Sequence, residues 1–167
     1  MNALVTCDRN YGIYKAGRPL VSIPADRKLK VQEITGKIAV YGLKGMEDLP
    51  GHEPQAQCMN IIFTDGVKTD VKTAENVKIF STLEALREEL EKYPSEDIYV
   101  IDNEKLYREF FEDFQVIHLT KIDYVYNADA FFENLDKNPD FKLTRDSDEQ
   151  YCFDIVYSFL KYERVKK

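Results

Sequence analysis

The chain has 167 residues, a formal charge of −7 and no tryptophan, with 44% hydrophobic residues of which Tyr and Phe form a large part. That length suits one domain over 1–167, large enough to bury roughly 70% of its unfolded surface. The acidic balance argues against nucleic acid or an anionic membrane surface as a partner, and no apolar run approaches the ~20 residues that span a bilayer.

Ala3 to Cys7 is a short apolar run suited to a buried strand. Gly12 to Ser22 reads as a loop rich in Gly, Lys and Arg, with Pro19 excluding regular structure. The spacing predicts a helix over Asp26 to Ile34, its apolar side supplied by Leu29, Val31 and Ile34, and a second buried strand over Lys37 to Tyr41. Lys44 to Leu49 suits a short helix before the breaker-rich Pro50-Gly51-His52-Glu53-Pro54. Met59 to Thr64 is a third strand, stopped by the turn signal Asp65-Gly66, and Val77 to Phe80 is a fourth.

Ser81-Thr82-Leu83-Glu84 is read as a capping box for a helix whose apolar face carries Leu83, Leu86 and Leu90. Ile98 to Ile101 is a central strand; Asp102 or Asn103 can cap the next helix, with Leu106, Tyr107, Phe110 and Phe111 facing inward. Gln115 to Thr120 is a further strand, and Tyr151 to Tyr162 alternates as one long antiparallel strand. Strands alternating with helices predict a single-domain α/β fold: a twisted, mostly parallel central sheet flanked by helices, with an antiparallel C-terminal strand. Cys7, Cys58 and Cys152 lack metal-ligand spacing and read as reduced structural thiols of a cytoplasmic protein, and His52 and His118 are isolated, so no metal is expected.

The stretch Ile23-Pro24-Ala25-Asp26 is the most informative. A carboxylate after Pro-Ala can simply favour the positive end of a helix dipole. Around it, however, stand Asp8-Arg9-Asn10-Tyr11-Gly12 and Gly36-Lys37-Ile38-Ala39-Val40-Tyr41-Gly42, and further along Asn60-Ile61-Ile62-Phe63-Thr64, Ile98-Tyr99-Val100-Ile101, Leu106-Tyr107 and Leu119-Thr120. In this order the pieces closely resemble bacterial dihydrofolate reductases from end to end.

The resemblance implies that Asp26 is the only ionisable group of a pterin pocket and supports protonation of the substrate. It also implies Leu20, Leu49 and Thr120 as substrate contacts, and Gly42, Lys44, Thr64, Ile101 and Tyr107 as cofactor contacts. The family reaction is NADPH-dependent reduction of 7,8-dihydrofolate to tetrahydrofolate.

The chain departs from that pattern at several positions. Asp102 and Asn103 stand where the family has two glycines joined by a cis peptide against the cofactor. A cis bond without proline costs about 3–4 kcal/mol, so a trans peptide with one of the two side chains capping the helix is expected. Leu43 and Gly45 replace a phosphate-binding Arg and Thr, and Asp65 puts a negative charge where relatives place an Arg. Cys58 stands for the Arg that holds the folate tail, Val21 for a Trp, and Arg27 and Lys30 for apolar wall residues, making the pocket more polar and emptier. The expectation is a monomer that binds a folate-like or other small molecule, with weak or absent NADPH binding and turnover. The alternative is a non-catalytic or repurposed binding protein on the same scaffold.

Overall fold

The computed structural model describes residues 1–166. In chain order the elements begin β1 (Asn2–Cys7), β2 (Gly12–Lys15), β3 (Arg18–Pro19), α1 (Pro24–Ile34), β4 (Ile38–Gly42) and α2 (Leu43–Glu47). There follow β5 (Met59–Phe63), β6 (Val77–Phe80), α3 (Leu83–Leu90), β7 (Ile98–Ile101), α4 (Glu104–Phe110) and β8 (Val116–Ile122). The chain closes with β9 (Ala130–Phe131), β10 (Phe141–Asp146), β11 (Gln150–Cys152) and β12 (Ile155–Arg164).

The main sheet runs β10-β12-β8-β1-β7-β4-β5-β6, with β11 also on β12, and a small sheet pairs β3-β2-β9. From β8 to β6 every neighbour is parallel, and β12 joins β8 antiparallel. Parallel strands need helical crossovers that cover both faces, which is why β1, β4 and β5 read as continuous apolar runs. One core packs Val5, Val40, Ile61, Leu86, Phe110 and Ile117, and a second packs Leu4, Ile34, Tyr41, Leu49, Ile62 and Ile101. Among the described residues no helix is long and apolar enough to cross a membrane.

Three local expectations are corrected, and one strand was not anticipated. Gly12 to Ser22 is not all loop: β2 and β3 form a tight hairpin through Ala16 and Gly17, both at positive φ. The helix at Leu83 is capped by Thr82, whose hydroxyl accepts from the Ala85 N–H at 3.2 Å, rather than by Ser81 of a capping box. The segment Tyr151 to Tyr162 is not one strand but the β11–β12 hairpin, turning at Phe153 and Asp154. Phe153 takes φ 56° and is almost wholly exposed, a turn that the sequence Phe-Asp does not signal. Finally β10, paired with β12, escapes the apolar pattern because all its residues after Phe141 are exposed.

One carboxylate ties the first loop to the distant β8–β9 connection. Asp8 is buried; its Oδ1 accepts from the N–H groups of Asn10 and Gly12, both at 2.8 Å, and its Oδ2 from that of Tyr126 at 2.9 Å. The space is tight, since a Cβ on Gly12 would lie 2.6 Å from that of Ala128.

Candidate functional site

Thr6 on β1 and Thr120 on β8 are paired in register on adjacent parallel strands, so both side chains rise on the face that α1 covers. Asp26 sits in the first turn of α1 above them. The Thr6 and Thr120 hydroxyls donate to its two carboxylate oxygens, Thr6 to Oδ2 and Thr120 to Oδ1, each at 2.5 Å. Pro24 starts the helix without any side-chain cap, so Asp26 adds charge to the helix dipole while its oxygens are spent on the strands.

One turn further along α1, Lys30 brings its ammonium to 3.4 Å from Asp26 Oδ2 and 2.9 Å from Asp102 Oδ1. Lys30 is only 8% exposed, so its charge stays inside the cleft and does not reach solvent. Burial alone would lower its pKa; the carboxylates of Asp102 and Asp26 more than offset that and hold the ammonium above the usual lysine range. Asp102 lies at the end of β7 with φ 49°, a conformation that Asp tolerates better than most side chains. Its peptide is trans, as is every one described, and its N–H donates to the Tyr107 hydroxyl at 2.8 Å. The cap of α4 is Asn103, whose Oδ1 accepts from the Leu106 N–H at 2.9 Å. Asp102 therefore serves Lys30 instead of the helix.

Thr6, Asp26, Lys30 and Asp102 line a cleft bordered by Tyr14 and Pro19 of the β2–β3 hairpin, whereas Thr120 lines another cleft, on which Asp26 and Lys30 also open. Leu20, Leu49, Tyr107, Val21 and Arg27 share the first with Asp26, Lys30 and Asp102. Asp48 faces it too; burial and then the Asp102 charge raise its carboxyl above the usual range, against the pull of Lys30 and Arg27. Tyr107 is buried, donating its hydroxyl to the Leu4 carbonyl at 2.5 Å, and burial pushes its pKa well up.

A third cleft adjoins the first across Asp102, Tyr14, Pro19 and Asp48. It collects Leu43, Lys44, Gly45, Thr64, Asp65 and Asn103. Of the residues that resemblance assigns to a cofactor, Lys44 and Thr64 meet here, and Tyr107 lines the Asp26 cleft. Gly42 and Ile101 line neither and are packed inside.

The β7–α4 turn and α2 interlock. A Cβ on Gly45 would lie 3.2 Å from both Cβ and O of Asp102, and one on Gly42 would lie 2.3 Å from the Asn103 amide nitrogen. The charges are also paired: Asp65 bonds Lys105 at 2.7 Å, both half-exposed, and Asp102 bonds Lys30. Each of these two negative charges at the cleft thus has a cationic partner. Cys58, which the resemblance aligns with a folate-tail Arg, is buried with its thiol against Gln55 and Asn60.

Sequence reasoning missed Thr6, Lys105 and the role of Lys30. A hydroxyl inside the buried run of β1 was a usable signal, since a buried polar group needs a partner. Among the described residues no group of His, Cys, Asp and Glu is arranged to hold a metal ion.

A family model described as dihydrofolate reductase matches residues 1–164. The bifunctional dihydrofolate reductase-thymidylate synthase of Glycine max is 29% identical over 178 residues, covering 98% of this chain and 33% of that protein. The corresponding protein of Daucus carota is 27% identical over the same share of each. This chain thus spans about a third of the length of those relatives. Among solved structures, dihydrofolate reductase from Enterococcus faecalis, complexed with NADP(H) and RAB-propyl, superposes with a TM-score of 0.74 at 20% identity, covering 99% of this chain and 96% of that one. The fold and the ordered cleft define a dihydrofolate reductase-like α/β protein. The chain belongs to the dihydrofolate reductase family.

Proposed function

We propose that this chain keeps the family's substrate cleft and performs the family reaction, NADPH-dependent reduction of 7,8-dihydrofolate, weakly or not at all. In this reading Asp26 controls protonation of a bound heterocycle, while Thr120, Leu20 and Leu49 are its contacts. Lys44 and Thr64, with Tyr107 in the adjoining cleft, are the remnant of the cofactor side, and Gly42 and Ile101 support it from within.

The observation that carries the reading is the interlock of Asp102 and Asn103 with Gly45 and Gly42. Two side chains fill the ground beside the start of α2, where a diphosphate needs bare backbone donors. Leu43 and Gly45 add no side-chain donor. The residues present do not fit the cofactor's phosphates, and no catalytic step is derived through it. Lys44 and Lys105 remain as cations, and Lys105 is already engaged by Asp65.

Two lost phosphate contacts cost about 1.5–3 kcal/mol each, and a combined deficit near 4 kcal/mol is about three powers of ten. The test is calorimetric titration with NADPH, followed by dihydrofolate turnover. The expected outcome is binding weaker than micromolar and turnover at least about a thousand-fold below a typical enzyme. Micromolar affinity with turnover above about one per second refutes the proposal. The second reading, a binding protein repurposed on this scaffold, is favoured by one observation: each oxygen of Asp26 already accepts from a threonine of the sheet and the Lys30 ammonium pairs with Oδ2.

A further inference from the structure

A carboxylate receives a planar amidinium, such as a protonated aminopyrimidine, through two parallel N–H donors, one to each oxygen. That fork needs a free lone pair on both oxygens. Asp26 Oδ2 already accepts from the Thr6 hydroxyl and faces the Lys30 ammonium at 3.4 Å; Oδ1 accepts from Thr120 alone. An ionised carboxylate oxygen has about two acceptor sites, so each oxygen keeps one, and the Lys30 ammonium stands 3.4 Å in front of the one on Oδ2.

The ammonium is also held from the far side. Asp102 Oδ1 bonds it at 2.9 Å, across the cleft from α1 to the end of β7, and Asp102 is itself fixed through its N–H to Tyr107. Lys30 is nine-tenths buried and cannot leave for solvent along the wall without breaking that bridge.

We propose that Lys30 is the specificity-determining residue of the Asp26 cleft: its ammonium occupies the carboxylate position that a ligand's cationic amidine would take. The cleft therefore excludes amidinium-type cations and admits planar ligands that are neutral where they face Asp26. The inference rests on reading the Asp26 cleft as the substrate site, but not on the fate of the cofactor. Removing the charge while keeping the stem reverses the preference, because Oδ2 is freed and an unpaired buried carboxylate attracts a cation.

The experiment titrates the full chain calorimetrically with 2,4-diamino-5-benzylpyrimidine, at a pH where it is protonated, and with the neutral isostere 5-benzyluracil. Lys30→Met is expected to bind the diaminopyrimidine at least about ten-fold more tightly than the unmodified chain, while 5-benzyluracil changes by less than about three-fold. Lys30→Met/Asp102→Asn removes the orphaned Asp102 charge and is expected to show the same selective gain should the single variant fold poorly. Adding Asp26→Asn is expected to abolish the gain. In the unmodified chain, the NMR resonance of the Lys30 ammonium is expected to shift on saturation with the diaminopyrimidine as the group is displaced.

A folded variant with no gain, an equal gain for both ligands, or an ammonium resonance unmoved at saturation overturns the proposal. So does a gain that survives Asp26→Asn. A merely structural ion pair gives a change in melting temperature without ligand selectivity. Rapid dihydrofolate turnover by the unmodified chain refutes the weak-cofactor proposal and leaves this binding comparison standing.

Discussion

Gly45→Ala tests the interlock between α2 and the β7–α4 turn. In an ordinary helix position this change stabilises, because alanine is favoured over glycine by about 0.5–1 kcal/mol. Here the new Cβ would meet Cβ and O of Asp102 at 3.2 Å and Tyr41 Cβ at 3.5 Å. Asp102 has little freedom to retreat, since its N–H is held by Tyr107, its carboxylate by Lys30 and the next residue by the α4 cap. Overpacking of this kind costs about 1–3 kcal/mol. The two effects sum to a net loss of about 1 kcal/mol, or about 2–4 °C in Tm for a chain of this size. Asp102→Gly removes one clashing atom and loosens the backbone, so the double variant is expected to show a favourable coupling of about 1 kcal/mol in a double-mutant cycle. Urea and thermal unfolding followed by circular dichroism measure both quantities. A higher Tm for Gly45→Ala, or additivity within about 0.3–0.5 kcal/mol, refutes the steric argument.

Tyr107→Phe leaves the Leu4 carbonyl and the Asp102 N–H without their shared hydroxyl and is expected to cost about 1–3 kcal/mol, measured by the same unfolding curves. Glu89 is buried and accepts from Lys78 at 2.6 Å, Lys92 at 2.8 Å and the Tyr93 hydroxyl at 2.9 Å. The hydrogen bonds from Lys78 and then Lys92 hold its carboxyl down at about 2, from an ordinary 4.5. A depressed carboxylate stabilises the fold above its unfolded pKa and loses that contribution as pH falls to the folded one. The Tm advantage of the unmodified chain over Glu89→Gln is therefore expected to be full above about pH 4.5 and to fade towards about pH 2; an advantage independent of pH contradicts the assignment.

What the sequence made legible follows burial. The parallel strands announce themselves as apolar runs because both of their faces are covered. The β10 strand does not, since it lies at the sheet edge with five of its six residues exposed. The β11–β12 turn was hidden because the alternation of Phe153, Ile155 and Tyr157 continues through a two-residue reversal without Gly or Asn to mark it. At the site, Asp26 and Thr120 were readable from resemblance, and the structure joins them by a hydrogen bond. The pairs that reset the electrostatics were not readable: Lys30 and Asp102 are 72 positions apart, and Asp65 and Lys105 are 40 apart. No local periodicity encodes such partners. Only the topology, which sets β7 beside β1 beneath α1, brings the first pair together.

The Asp8 carboxylate has a consequence for how the cleft can open. It satisfies the amides of Asn10, Gly12 and Tyr126 together, so release of any of them leaves a buried carboxylate short of a donor. The hairpin carrying Ile13, Tyr14 and Leu20 is thereby spliced to the connection around Tyr126 and Ala128, more than a hundred residues downstream. With the β2–β9 pairing and the bond from the Asp129 N–H to the Tyr14 carbonyl, the Asp8 carboxylate joins the two segments into one panel over the cleft, so local unfolding of either reports on the other.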